Sequence, residues 1–305
     1  MKLAALIVPA GALTLSAAAS PSPSPVPMPV KTDPALLEQS PAASGDYLAW
    51  AQSPATKVHF DVFAQGRNGR PFRVNTHGTQ GRPGGISGRT LVYQQWRGGR
   101  SDIGFFDIVK RKRLKSPHGV NTPRWESRPS LSGRWLLFNR RNPRTKVELV
   151  LLRNLRTGKK IVLDRARPPD QVLVQQLAGN FAVWTSCRFR CAVRRYDLAT
   201  AQRAVVQQSG IPEATDYAAS VLRDGTIYIV RGDMFCNSGD PPSATLLRYT
   251  GKTTQDVIAS FEGARPTALY ASTEGNAPDV YFDTGPCEGG RDIYRIVGLP
   301  APPPR

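Results

Sequence analysis

Six returns of one short phrase predict an all-β chain, folded as a six-bladed β-propeller of four-stranded antiparallel blades. The phrase is Ser44-Gly45-Asp46-Tyr47-Leu48-Ala49-Trp50, rewritten as Ser87-Gly88-Arg89-Thr90-Leu91-Val92-Tyr93, Ser132-Gly133-Arg134-Trp135-Leu136-Leu137-Phe138 and Ala178-Gly179-Asn180-Phe181-Ala182-Val183-Trp184. Looser copies follow at Asp224-Gly225-Thr226-Ile227-Tyr228-Ile229 and at Gly275 with Val280-Tyr281-Phe282. The glycines are 43, 45, 46, 46 and 50 residues apart. No long apolar pattern of helical period follows the N-terminus, so helices should be few.

Each copy begins with a Gly turn, where a residue without a Cβ is least strained, and continues as a strand of aliphatic and aromatic residues. A second strand follows, as in Asp102 to Ile108, Val147 to Leu155 and Ala192 to Leu198. Turns at Arg156-Thr157-Gly158 and Ala199-Thr200-Ala201 lead to third strands at Lys160 to Leu163 and Arg203 to Val206. A segment before each Gly turn, such as Arg128-Pro129-Ser130-Leu131, makes the fourth. A blade cannot bury both faces alone, so the ring supplies the core. Trp50, Tyr93, Phe138, Trp184 and Phe282 are expected between blades. The sixth unit stops after Asp292 to Ile296, and a piece between Lys31 and Gln39 is expected to complete it.

This repeat resembles the TolB-like six-bladed propellers of exported bacterial type, over about residues 40 to 298. In that family a Ser-Pro-Asp-Gly-like turn leads an apolar strand, and an Asp-Ile/Leu-Tyr strand precedes a second Gly turn. Here the Pro is gone from the turn, and the fifth copy keeps Asp224-Gly225. The resemblance implies the fold, and protein partners at the cell envelope.

Four segments are expected. Residues 1–19 read as a signal peptide: Lys2, a largely apolar run from Leu3 to Leu15, then Ala17-Ala18-Ala19 before Ser20. An uncleaved anchor is the competing reading, weakened by Pro9, Gly11, Thr14 and Ser16. Residues 20–38 form a Pro/Ser-rich linker, residues 39–299 the propeller, and residues 300–305 a Pro-rich tail. Export suits the four cysteines, for which the expected disulfides are Cys187–Cys191, stapling a hairpin, and Cys236–Cys287, on neighbouring blades. A zinc site is the alternative, but the spacing is poor for one.

The net charge of +18 is concentrated. Between Arg67 and Lys160 stand 23 basic residues against four acids, and the remainder is balanced. One positive sector should attract an anionic cell-envelope polymer or an acidic envelope protein. The densest clusters, on turns of adjacent units, are Lys110, Arg111, Lys112, Arg113 and Lys115, then Arg140, Arg141, Arg144 and Lys146. Propeller geometry can bring them to one sector without placing them on one face. Nucleic acid is not the expected partner, because Trp96, Phe105 and Phe106 read as core strand residues rather than base-stacking platforms.

The catalytic inventory is thin. His59, His77 and His118 form no metal motif. Ser87 in Gly85-Ile86-Ser87-Gly88 is the turn serine of the repeat, one residue short of a nucleophile elbow. The acids Asp233, Asp240, Asp283, Glu288 and Asp292 match no calcium-loop pattern. No catalytic residue, metal or cofactor is assigned, and a monomeric, non-catalytic binding or scaffold module is expected. The alternative is an extracytoplasmic hydrolase or lyase at the mouth of the central channel, where residues distant in sequence would meet.

Overall fold

A computed structural model describes residues 26–57, 59–188, 190–208, 215–232, 243–250, 255–263, 265–274, 277–285, 291–297 and 299. Alternating burial and Gly turns 43 to 46 residues apart give, among the described residues, 24 strands in six four-stranded antiparallel sheets, a six-bladed propeller. A first short strand, β1 (Met28–Lys31), precedes blade 1, which is β2 (Leu36–Ser44), β3 (Tyr47–Pro54), β4 (Asp61–Gly66) and β5 (Phe72–Arg73). Blade 2 is β6 (Gln80–Ser87), β7 (Thr90–Arg97), β8 (Arg100–Asp107) and β9 (Lys112–Leu114). Blade 3 is β10 (Trp125–Ser132), β11 (Trp135–Arg141), β12 (Glu148–Asn154) and β13 (Lys160–Ala166). Blade 4 is β14 (Gln171–Ala178), β15 (Phe181–Cys187), β16 (Cys191–Asp197) and β17 (Arg203–Gln208). Blade 5 is β18 (Thr215–Val221), β19 (Ile227–Gly232), β20 (Ser243–Tyr249) and β21 (Gln255–Glu262). Blade 6 is β22 (Arg265–Glu274), β23 (Ala277–Gly285) and β24 (Asp292–Ile296), completed by β1.

The first strand of each blade is innermost, and in blades 1 to 5 the repeat glycine turns it into the second, while Gly275 of blade 6 lies outside the described residues. Gly45, Gly88, Gly133, Gly179 and Gly225 take φ of 57°, 58°, 54°, 55° and 90°, a region costly for residues with a Cβ. The turn serines link blades: the Gly133 N–H donates to Ser87 Oγ at 2.9 Å, and the Gly179 N–H to Ser132 Oγ at 3.0 Å. Ser87 is therefore a structural residue.

Strand periodicity sends successive side chains to opposite neighbours. Leu91 and Tyr93 join the core with blade 1, while Val92 joins the core with blade 3. Trp50, Tyr93, Phe138, Trp184 and Phe282 are all buried, as the repeat predicts. The seam between blades 6 and 1 has the smallest cluster, Ala42, Ala43, Tyr270 and Tyr281 with Leu48 against it.

Polar links reinforce that seam. The Glu38 N–H donates to the Arg291 carbonyl at 2.8 Å, and the Ser40 N–H to Asp283 Oδ2 at 2.7 Å. Lys31 donates to Gln65 Oε1 at 2.7 Å and lies over Trp50 at 4.4 Å. The closing strand is thus Met28–Lys31, paired with β24, and not the expected piece from Lys31 to Gln39, whose last four residues open β2. Residues 28–31 and 36–38, assigned to the linker by composition, are strand. Pro29 is tolerated because an outermost strand needs hydrogen bonds on one side only.

Candidate functional site

Every innermost strand carries an irregularity at the same level. Register shifts fall between Gln39 and Ala42, Pro83 and Gly85, Ser127 and Ser130, Val172 and Gln175, Asp216 and Ala218, and Pro266 and Ala268. Such bulges leave residues unpaired and re-aim side chains. Here they ring one end of the channel, and a cleft of about 960 Å³ opens there. At the other end only about 50 Å³ is open. At that narrow end Gln176 Nε2 donates to the Ala271 carbonyl at 2.9 Å, while its Oε1 accepts from the Val221 N–H at 2.9 Å and from the Ser220 hydroxyl.

The bulge of blade 3 is a polar clamp. Arg128 has φ of 48°, unusual for a non-glycine residue. Its N–H donates to Gln94 Oε1 at 3.3 Å and its carbonyl accepts from Gln175 Nε2, so blades 2 and 4 hold it from both sides. Its guanidinium meets Glu148 Oε1 at 3.3 Å. Gly84, the blade 2 counterpart of Pro129, faces this bulge so closely that a Cβ would overlap the Pro129 carbonyl oxygen. On the seam, Asp283 (1% exposed) accepts from the N–H groups of Ser40, Thr267 and Ala268 at 2.7, 3.1 and 3.0 Å and from the Thr267 hydroxyl at 2.6 Å. One buried carboxylate therefore shapes the bulges of blades 1 and 6.

Cations line the blade 2–3 side. Arg82 lies 5.5 Å from the Phe60 ring and 5.9 Å from Trp96. It makes no ion pair or hydrogen bond with a described residue. Its side chain is open to solvent, yet the surrounding protein desolvates it and pulls its pKa below the usual arginine range; Asp283 raises it, and the Arg128 and Arg291 charges lower it. Desolvation likewise lowers Arg128, with Glu148 opposing and Arg141 assisting. Both stay protonated at neutral pH, since guanidinium pKa values start so high. At the rim, Arg141 and Lys146 lie 5.8 and 5.6 Å from the Trp125 ring. Four cations thus border the cleft against two carboxylates, Glu148 and Asp170.

The two basic clusters are separated. Strand direction puts the β11–β12 turn, with Arg141, Arg144 and Lys146, at the cleft end. The β8–β9 turn, with Lys110 and Arg111, is at the opposite end on the outer edge. Lys112, Arg113 and Lys115 continue along that edge. Arg113 donates to Gln95 Oε1 at 2.7 Å, and Arg111 sits 4.6 Å from the Phe72 ring. Arg144 is exposed in its turn.

Arg140, expected among the ligand-binding residues, is internal instead. Alternation along β11 points it inward, where its Nε meets Glu126 Oε1 at 2.8 Å. Its second terminal nitrogen donates to the carbonyls of Gly119 and Val120 at 3.1 and 2.7 Å. Arg82 and Arg128, which do face the cleft, escape a search for charge runs because each is a single arginine before a proline. The available signal was position: Pro41, Pro83 and Pro129 all stand four or five residues before a repeat glycine.

The Cys187–Cys191 disulfide is present, between directly paired residues with Cα atoms 3.9 Å apart, on the cleft-end turn of blade 4. Cys236 and Cys287 lie outside the described residues, as do Asp233, Asp240 and Glu288. His59, His77 and His118 do not line the cleft. Among the described residues no group of three or more His, Cys, Asp or Glu is placed to hold a metal. No described helix is long and apolar enough to cross a membrane.

No protein-family model matches the chain, and no curated protein matches its sequence. Solved structures do share the fold. A Dyadobacter fermentans protein of unknown function superimposes with a TM-score of 0.59 at 11% identity, covering 89% of this chain and 97% of that one. A prolyl endopeptidase gives 0.50 at 13% identity over 85% of this chain, which spans 41% of that one. An oligogalacturonate lyase from Vibrio parahaemolyticus gives 0.49 at 11% identity, covering 88% and 92%. At such identities the likeness concerns the six-bladed propeller fold alone.

Proposed function

We propose that this propeller is a non-catalytic binding or scaffold module at the cell envelope, in the extracytoplasmic space, and that it engages an anionic partner in the cleft at its channel mouth. The supporting observation is the convergence of Arg82, Arg128, Arg141 and Lys146 on one concave site of about 960 Å³. A recess of that size is suited to specific ligands, and arginine forks suit carboxylate or phosphate. The Cys187–Cys191 disulfide and the signal-like residues 1–19 support the compartment. The repeat resemblance to TolB-like propellers supports a partner in the envelope.

Fluorescent poly-glutamate, titrated at rising salt, tests this reading. Binding should be tight at low salt and weaken as screening grows. Changing Arg141 and Lys146 to Ser should reduce it, whereas changing Lys110, Arg111, Lys112 and Arg113 to Ser should leave it intact. Binding indifferent to salt and to the cleft variant would rule the reading out.

A hydrolase or lyase at the same mouth is the second reading, because two carboxylates stand on the described wall. Glu148 lies 3.3 Å from Arg128, and Asp170 lies 3.6 Å from Arg188. Turnover of a bound ligand that stops in a Glu148→Gln or Asp170→Asn variant would replace the binding reading with this one.

A further inference from the structure

The cleft presents more than charge. Leu173, on the bulge of blade 4, packs against the apolar cluster of blades 5 and 6 that contains Leu269. Tyr270, a buried aromatic of the blade 6–1 seam, also lines the cleft. An apolar surface therefore accompanies the cationic side of blades 2 and 3. Two side-chain amides complete the lining. Gln39 is 9% exposed and Gln175 7% exposed, and among the described residues Gln39 Nε2 and Gln175 Oε1 have no hydrogen-bond partner. Buried polar atoms left this way are costly, so they favour a ligand that satisfies them.

The site thus offers a guanidinium at Arg82 that no described residue pairs, an amide donor at Gln39, an amide acceptor at Gln175, and an apolar surface. The terminal residue of a peptide carries the complement of all four: a carboxylate, a backbone carbonyl, a backbone N–H and an apolar side chain. An acidic sugar fits less well, because sugars stack on open aromatic faces. Here the two cleft tryptophans already have cations over their rings, Arg82 5.9 Å from the Trp96 centroid and Arg141 and Lys146 5.8 and 5.6 Å from that of Trp125. We infer that the cleft captures the free C-terminal end of a polypeptide whose last residue is apolar. This inference rests on the reading of the cleft as an anion-binding site and narrows it to one ligand chemistry.

The test uses the full chain and an N-terminally fluorescein-labelled pentapeptide ending in leucine, as free acid and as C-terminal amide, read by polarisation. The free acid should bind, and the amide roughly 10- to 100-fold more weakly, the usual worth of a charge-assisted bidentate contact. Arg82→Gln should bring the free acid down to the level of the amide and leave the amide unchanged. Because Arg82 is exposed and unbonded to described residues, that variant should unfold at the wild-type temperature. A peptide ending in aspartate should lose the apolar contact and bind more weakly than the leucine peptide. Equal binding of acid and amide would overturn the inference. So would absence of peptide binding while poly-glutamate still binds through Arg141 and Lys146, which would leave the anionic reading standing. If neither probe binds, both readings fall.

Discussion

Arg140→Leu should destabilise the propeller without weakening ligand binding. Arg140 is 8% exposed and Glu126 is 0% exposed, and Glu126 has Arg140 as its charged partner at 2.8 Å. The variant leaves a buried carboxylate supported by the Thr122 hydroxyl at 2.7 Å and the Thr122 N–H at 3.4 Å. It also strips donors from the Gly119 and Val120 carbonyls, in the connection from blade 2 to blade 3. Removing one member of a buried ion pair costs about 3–5 kcal/mol. For a domain of this size that is a fall in Tm of about 6–15 °C.

The loss should depend on pH in a defined direction. Burial already pushes the Glu126 carboxyl above its usual range, with Thr122 and Arg140 pulling it down. Without Arg140 it rises further. A carboxyl whose folded pKa exceeds its unfolded one stabilises most below the unfolded value, and that contribution is lost as pH rises through the folded value. The gap between variant and wild type should therefore be small near pH 5 and widen toward pH 8. Urea unfolding across that range measures it. A loss under about 1 kcal/mol at pH 8, or a gap flat with pH, would refute the assignment of Arg140 as a structural residue.

Three further outcomes follow from the same geometry. Gly84→Ala places a Cβ against the Pro129 carbonyl and should cost about 1–3 kcal/mol in chemical unfolding; a neutral result would mean the blade 2–3 bulges are not in contact. Asp283→Ala orphans the N–H groups of Ser40, Thr267 and Ala268, an expected loss of about 3–5 kcal/mol accompanied by weaker ligand binding, since two bulges of the cleft lose their anchor. Replacing Cys187 and Cys191 with Ser should cost about 2 kcal/mol, the chain-entropy value for so short a loop, seen as a modest fall in Tm.

The fold was legible because one physical demand recurs. The inner hairpins of blades 1 to 5 each place a residue at positive φ, which puts Gly45, Gly88, Gly133, Gly179 and Gly225 on a nearly fixed spacing with an aromatic or aliphatic strand behind each. The ring closure was misplaced by a few residues, since Pro29 in a Pro/Ser-rich stretch reads as linker until β24 offers it a partner. The cleft was the least legible part. Its shape comes from bulges that interrupt β2, β6, β10, β14 and β22, and apart from a proline four or five residues before the repeat glycine in blades 1 to 3 they leave no mark in the composition. Charge density pointed to Lys110 through Arg113, which lie at the far end, and to Arg140, which is buried. Single arginines at 82 and 128 carry the concave surface instead.

Oxidative footprinting of the tryptophans, with and without the bound free-acid peptide, tests most directly whether the cleft is the functional surface. Trp96 and Trp125 stand at the cleft, partly exposed, and Trp135 is partly exposed at the start of β11 on the opposite end. Ligand in the cleft should protect Trp96 and Trp125 from hydroxyl radicals and leave Trp135 unchanged. Protection of Trp135 alone, or unchanged oxidation of Trp96 and Trp125 under saturating ligand, would contradict the account.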